Sequence, residues 1–274
     1  MWIVLVFVIA ASVGTVVVLA AARHGSPRLA GQPWLLYDTA KLHVGIMGGL
    51  AGFAVTGIVL IASVTRSQQA APAPALNTVV MMFTVAYFYY IGNAFLISYL
   101  PHRDVSGDFV PRVHFSLASS IEYRTLFVSW FALLPLLHSY GLEQAAGMFA
   151  ILLPISLLIG SVIIAMAADG LGLILAGETY LSLAVGAALA GATAWAVELF
   201  VPQIWSDNAA IVVTLIIFGV NGVGYAVASA TALAPRYPSI ERFYSRYGRQ
   251  FIVVDMQLTM SSLTFLWMAV VGAI

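Results

Sequence analysis

The chain has 274 residues, of which 62% are hydrophobic and only 8% are Asp, Glu, Lys or Arg. An ordinary soluble domain carries roughly 25% charged residues, so this composition excludes a soluble globular protein and makes the lipid bilayer the expected surroundings of almost the whole chain. Eleven basic residues balance eleven acidic ones, and no long basic run exists to follow a phosphate backbone, so nucleic acid is not an expected partner. The lack of cysteine excludes disulfides, thiolate nucleophiles and thiolate metal sites.

Apolar windows separated by short breaks rich in glycine, proline and charge predict membrane-spanning helices. A span needs about 20 apolar residues, and the breaks leave room for eight such helices. The predicted fold class is therefore all-α, a polytopic transmembrane bundle. The predicted spans are residues 2–22, 42–65, 78–100, 113–138, 145–168, 171–200, 209–233 and 250–273, with a tight turn at Asp169-Gly170 between the fifth and sixth.

The basic residues of the loops predict the orientation of these spans. No basic residue precedes the first span and Arg23 and Arg28 follow it, which favours a retained helix over a cleaved leader. Nine basic loop residues fall on one side of the predicted bundle and only Arg66 falls on the other. The positive-inside rule then predicts a protein of the cell (inner) membrane with both termini outside. The predicted cytoplasmic loops lie near residues 23–41, 101–112, 169–171 and 234–249, and the last of these is expected to face lipid headgroups.

Three charged residues inside predicted spans stand out, because a charge at mid-membrane costs on the order of 3 kcal/mol. Glu122 and Arg124 lie in the fourth span, two residues apart, so they project about 200° from each other on a helix, and each needs a partner on another helix or water. Asp255 lies one turn into the last span, with Thr259 and then Ser262 continuing a polar stripe on that helix.

The other polar residues of the spans are predicted to be structural. Glu178 and Glu198 can reach the membrane interfaces, and Asn93 and Asn221 are expected to form interhelical hydrogen bonds. The five histidines show no metal-ligand spacing, so interfacial positions and no metal site are predicted. Two small-residue segments, residues 45–49 and 186–191, are expected to permit close helix packing.

Several apolar helix patterns resemble those of the microbial rhodopsins. Residues 215–219 (LIIFG) followed by residues 222–225 (GVGY) resemble the sixth rhodopsin helix. Residues 194–199 resemble the fifth helix, residues 86–90 resemble the second, and residues 121–125 with Ser129 lie where the third helix carries its counterion motif. The resemblance implies that residues 42–274 form a seven-helix rhodopsin-like domain and that residues 1–41 add one N-terminal helix and a loop. The predicted orientation, in which the second helix of this chain begins in the cytoplasm, is similar to the orientation of the heliorhodopsin branch.

One position departs from that family in a way that changes the chemistry. The family carries an aspartate, or a serine in heliorhodopsins, four residues before the lysine that binds retinal as a Schiff base. Here Asp255 is followed at that spacing by Thr259, and the only lysine is Lys41, near the membrane interface on another helix. A hydroxyl cannot form an imine, so covalent attachment of retinal in the family's manner is not available. The counterion position would align with Thr125, or with Glu122 in a register shifted by one turn, and both registers remain open.

The resemblance implies a rhodopsin-like protein without covalent retinal that acts as a sensor, a partner subunit or a noncovalent binder of a retinoid or carotenoid. The residues expected to line its interior site are Tyr87, Tyr90, Glu122, Thr125, Trp130, Tyr225, Asp255 and Thr259.

Other functions remain open. One is a proton-coupled transporter or ion channel that uses Glu122, Arg124 and Asp255. Another is an accessory subunit that binds a second membrane protein or a second copy of itself. An enzyme is not expected, because the spans lack a Ser/His pair, an Asp dyad and metal-ligand spacing.

Overall fold

The computed structural model describes residues 34–67, 74–98, 109–170, 176–200, 211–220, 222–223 and 238–273. These residues are helical apart from a short break and a turn, and they contain no strand. The predicted span over residues 2–22, Asn221 and Tyr225 lie outside the described residues. The helices are α1 (Trp34–Ser67), α2 (Pro74–Ser98), α3 (Phe109–Phe131), α4 (Leu133–Ser139), α5 (Glu143–Gly170), α6 (Ala176–Phe200), α7 (Ile211–Val220) and α8 (Pro238–Ala273).

The apolar character of these helices is that of a membrane protein. Within the described residues, three helices hold segments long and apolar enough to cross a bilayer: Lys41–Ser63, Leu76–Ser98 and Arg246–Val271. Glu143–Leu157, Leu181–Ala196 and Ile211–Val220 are shorter apolar segments. For the described residues, the prediction of an all-α structure with helices long and apolar enough to span a membrane is confirmed.

The first and last described helices extend beyond their apolar windows. The sequence predicts starts at residues 42 and 250, whereas α1 begins at Trp34 and α8 begins at Pro238. The apolar segments Lys41–Ser63 and Arg246–Val271 lie close to the predicted windows. Hydropathy marks only the part of a helix that suits lipid, and the backbone hydrogen bonds continue past it into polar residues.

The predicted single helix over residues 113–138 is interrupted in the structure. α3 ends at Phe131 and α4 begins at Leu133, because Pro135 has no N–H to donate to the carbonyl four residues earlier. The Ala132 amide still donates to the Val128 carbonyl at 3.1 Å, so α4 continues the path of α3 after a local break. Gly141 then closes the α4–α5 hairpin with a φ of 70°, a conformation that glycine adopts without steric cost.

The predicted tight turn at Asp169-Gly170 is not present. α5 continues through Gly170, and α6 begins at Ala176. Neither residue is an absolute helix breaker, since a glycine inside a helix costs only about 1 kcal/mol relative to alanine.

α3 is the central helix of the described structure, with α1, α2, α4, α5 and α8 packed around it. The larger hydrophobic core includes Phe83, Phe127, Phe131 and Trp267, and a smaller core between α1, α2 and α3 includes Met47. α2 also packs along α1, and α6 packs along α8. The polar residues of α3 are therefore enclosed by other helices, which explains how this helix carries charge without exposing it to lipid.

Side chains of α8 contact both α3 and α5. Thr259 of α8 lies beside Ser120 of α3, with their hydroxyl oxygens 3.0 Å apart. Further along α8, the Trp267 indole N–H donates to the Ala150 carbonyl of α5 at 3.2 Å.

Candidate functional site

Glu122 on α3 forms an ion pair with His43 on α1, so one of the expected membrane charges has a partner from another helix. The imidazole Nδ1 and a carboxylate oxygen make this contact, and the ring of His43 also packs edge-on against Phe115, with 5.5 Å between ring centroids. The side chains of His43 and Glu122 remain 23% and 13% exposed. The contact therefore places two ionisable groups from different helices side by side.

Arg124 on α3 donates to Asp255 on α8 in a second and more enclosed ion pair. Their side chains are only 8% and 17% exposed. Each charge compensates the other in surroundings where an isolated charge would cost several kcal/mol. The pair fastens α8 to the central helix.

Thr259 lies one turn beyond Asp255 and is 3% exposed. Its hydroxyl donates to the Asp255 backbone carbonyl at 2.7 Å and lies 3.0 Å from the Ser120 hydroxyl. The stripe predicted from the spacing of Asp255 and Thr259 therefore faces the protein interior. The six residues His43, Ser120, Glu122, Arg124, Asp255 and Thr259 are called the interior polar cluster below.

The interior polar cluster has two halves on different sides of α3. Glu122 and Arg124 are two residues apart, which separates them by about 200° around the helix axis. Glu122 accordingly meets α1 and Arg124 meets α8. The expectation that each would find its own partner on another helix is confirmed.

The aromatic and hydroxyl residues expected at the site make contacts of their own with α3 and with the hydrophobic core. The Tyr90 hydroxyl lies 3.3 Å from the Ser129 hydroxyl, joining α2 to α3. The Thr125 hydroxyl donates to the Ile121 carbonyl of its own helix at 2.7 Å. Tyr87 and Trp130 are partly buried against the hydrophobic core, where Trp130 packs edge-on against Phe127 at 5.2 Å between ring centroids.

Two members of the interior polar cluster were not expected from the sequence. Ser120 lies one turn before Arg124 and therefore on the α8-facing side of α3, a spacing that could have been read from the sequence. His43 was predicted only as an interfacial histidine, and no local pattern links it to a residue 79 positions away.

Three buried polar atoms beside the cluster have hydrogen-bonding capacity that no described residue uses. They are Asn93 Oδ1, Ser119 Oγ and Arg124 Nε. Asn93 does donate from its amide nitrogen to the Ala118 carbonyl at 2.8 Å, which confirms its expected role between α2 and α3. The polar zone along residues 118–124 of α3 can therefore accept additional polar contacts.

A scan against family models, a search of curated proteins and a search of solved structures each find nothing that matches this chain. In the described residues, no group of three or more His, Asp or Glu side chains is placed to hold a metal ion.

Proposed function

We propose that the chain is a proton-coupled membrane transporter of eight spanning helices, with both termini outside. The observation that carries this proposal is the pair of interhelical ion contacts on opposite sides of α3, His43–Glu122 and Arg124–Asp255. Ionisable groups inside a membrane are expensive, and they commonly mark the path of a proton or an ion.

Protonation gives these contacts a mechanical consequence. Binding of a proton to Glu122 or Asp255 removes the negative charge that holds its partner, and the attraction across that helix contact falls. α1 and α8 would then be released from α3 independently, since they contact different sides of it. Proton binding from one side of the membrane and release to the other would drive alternating helix positions, which is the physical basis of proton-coupled transport.

The residues have distinct roles in this proposal. Glu122 and Asp255 bind the transported proton, with His43 exchanging it with Glu122. Arg124 positions Asp255 by donating a hydrogen bond to its carboxylate. Ser120 and Thr259 connect α3 to α8 beside that carboxylate.

The proposal is tested by proton flux into liposomes that contain the purified protein and an internal pH-sensitive dye. A potassium diffusion potential, negative inside, is set with valinomycin to drive protons inward, with and without a panel of small external solutes. Acidification should exceed that of protein-free liposomes, and Asp255→Asn should reduce it to the protein-free rate. Equal rates for the original protein and Asp255→Asn would contradict the proposal.

A second candidate, a rhodopsin-like protein that binds a retinoid or carotenoid without a covalent bond, is favoured by the position of Thr259. This residue is buried beside Asp255 on α8. The microbial rhodopsins have their retinal-binding lysine at the corresponding position, so the resemblance requires a buried side chain there. Incubation with all-trans retinal followed by borohydride should leave no reduced adduct on the original protein. Thr259→Lys should form one, and its failure to do so in a folded variant would count against this candidate.

A further inference from the structure

The N-terminal part of α8 carries two distinct exposed faces. Three arginines at a spacing of four and three residues, Arg242, Arg246 and Arg249, are all exposed. They lie within about 60° of one another around the helix axis. These three residues are called the arginine row.

An aromatic stripe runs beside the arginine row. Phe243, Tyr247 and Phe251 follow at intervals of four residues and are 46%, 40% and 39% exposed. The ring of Phe243 packs against the other two rings, since its centroid lies 5.1 Å from that of Tyr247 and 5.6 Å from that of Phe251. Exposed Val254 and Leu258 continue the same face into the spanning segment.

The opposite side of α8 is the buried one. Gly248, Ile252 and Met256 form a row at four-residue spacing, and all three are buried. The aromatic stripe therefore faces away from the protein and continues directly into the lipid-facing side of the apolar segment Arg246–Val271. The arginine row lies between the two, at the depth where the apolar segment begins.

We propose that the arginine row and the aromatic stripe form a binding site for anionic phospholipid. The aromatic rings lie among the upper acyl chains and the interface, where such side chains are favoured. The guanidinium groups then meet the lipid phosphates, to which arginine can donate two hydrogen bonds in one plane. Arg246 lies 5.5 Å from the centroid of the Tyr247 ring, a contact that links the arginine row to the stripe.

The absence of cysteine from the chain allows a direct test. Gln250→Cys, at an exposed position between the arginine row and the aromatic stripe, is labelled with an environment-sensitive fluorophore. The protein is placed in bilayers of equal phosphatidylglycerol and phosphatidylcholine, and a small fraction of one of the two lipids carries a spin-labelled quencher. The matched control is Val59→Cys on the exposed face of α1, which is 61% exposed.

We expect stronger quenching by labelled phosphatidylglycerol at Gln250→Cys and equal quenching by the two lipids at Val59→Cys. Arg246→Gln should lower the preference for phosphatidylglycerol about fivefold at low salt, since one surface arginine contributes about that factor. Replacing all three arginines of the row by glutamine should abolish the preference, and replacing them by lysine should retain most of it.

Three results would overturn the proposal. One is equal quenching by both lipids at Gln250→Cys in the otherwise unchanged protein. Another is an unchanged preference in the triple glutamine variant with an unaltered thermal unfolding midpoint. The third is loss of the preference on adding millimolar inorganic phosphate at constant ionic strength, which would assign the arginines to a free phosphate ligand. If the triple glutamine variant does not fold, Arg246→Gln alone decides the outcome.

Discussion

Arg124 on the central helix α3 pairs with Asp255 on α8, and both side chains are largely enclosed by protein. Two residues earlier on α3, Glu122 faces the other way and pairs with His43 of α1. A short segment of one helix therefore fastens two others by charge. In the proposed transport function, protonation of Glu122 would weaken the contact of α3 with α1, and protonation of Asp255 would weaken its contact with α8.

The coupling between Arg124 and Asp255 predicts non-additive effects on stability. Arg124→Gln or Asp255→Asn alone leaves one charge without compensation inside the protein, and such a change costs about 3–5 kcal/mol. The double variant removes both charges and should be more stable than either single variant. The measurement is the thermal unfolding midpoint of each variant in detergent. Strictly additive losses would show that the two side chains do not act as a pair.

Gly186 on α6 predicts a second stability effect, because α8 packs closely against it. A Cβ at Gly186 would meet the Gln257 carbonyl oxygen at 2.5 Å, whereas a Cβ at Gly191 on the same helix meets nothing within 4 Å. Gly186→Ala should destabilise the protein by about 1–3 kcal/mol through overpacking. Gly191→Ala is the matched control and should be neutral or slightly stabilising in the same unfolding assay. Equal midpoints for the two variants would contradict the observed α6–α8 contact.

The proposed orientation of the spans can be tested by labelling single cysteines. Ser139→Cys lies at the exposed α4–α5 hairpin, on the side expected to be outside. Ser106→Cys lies in the loop near residues 101–112 that is expected to be cytoplasmic. A membrane-impermeant maleimide added to intact cells should label only Ser139→Cys, and both should react after lysis. Labelling of Ser106→Cys in intact cells, with Ser139→Cys protected, would show the reverse orientation.

Three of the predicted spans lie largely within helices of the structure, since the apolar residues of a spanning helix are neighbours in the chain and can be read locally. The windows 42–65, 78–100 and 250–273 lie close to Lys41–Ser63, Leu76–Ser98 and Arg246–Val271. The helix extensions at Trp34 and Pro238 were missed because helices need not end where apolar residues end.

Which residues meet in the interior was only partly predictable from the sequence. Helical geometry separates Glu122 from Arg124, and the spacing of Asp255 and Thr259 places both on one stripe, as observed. The choice of His43 as the partner of Glu122 depends on how α1 packs against α3, which no local pattern encodes.

The two small-residue segments, residues 45–49 and 186–191, also show that a local pattern does not determine which helices pack together. Gly186 makes the predicted close contact, but a Cβ at Gly45, Gly48 or Gly49 would meet no described atom within 4 Å. The prediction of close packing is wrong at those three positions within the described structure. A glycine permits a close approach, and the neighbouring helix decides whether the approach occurs.

The most direct test of the transport proposal compares two glutamates that each pair with a histidine. Glu122 pairs with His43 inside the bundle, and Glu143 pairs with His138 at the exposed hairpin, with 2.9 Å between Nδ1 and the carboxylate oxygen. Glu122→Gln and Glu143→Gln make the same chemical change, so proton flux in the dye-loaded liposomes isolates the effect of position. We predict at least about a tenfold lower flux for Glu122→Gln, corresponding to about 1.4 kcal/mol in the barrier, and an unchanged flux for Glu143→Gln. Equal flux through both variants would contradict a role for the interior ion pairs in proton movement.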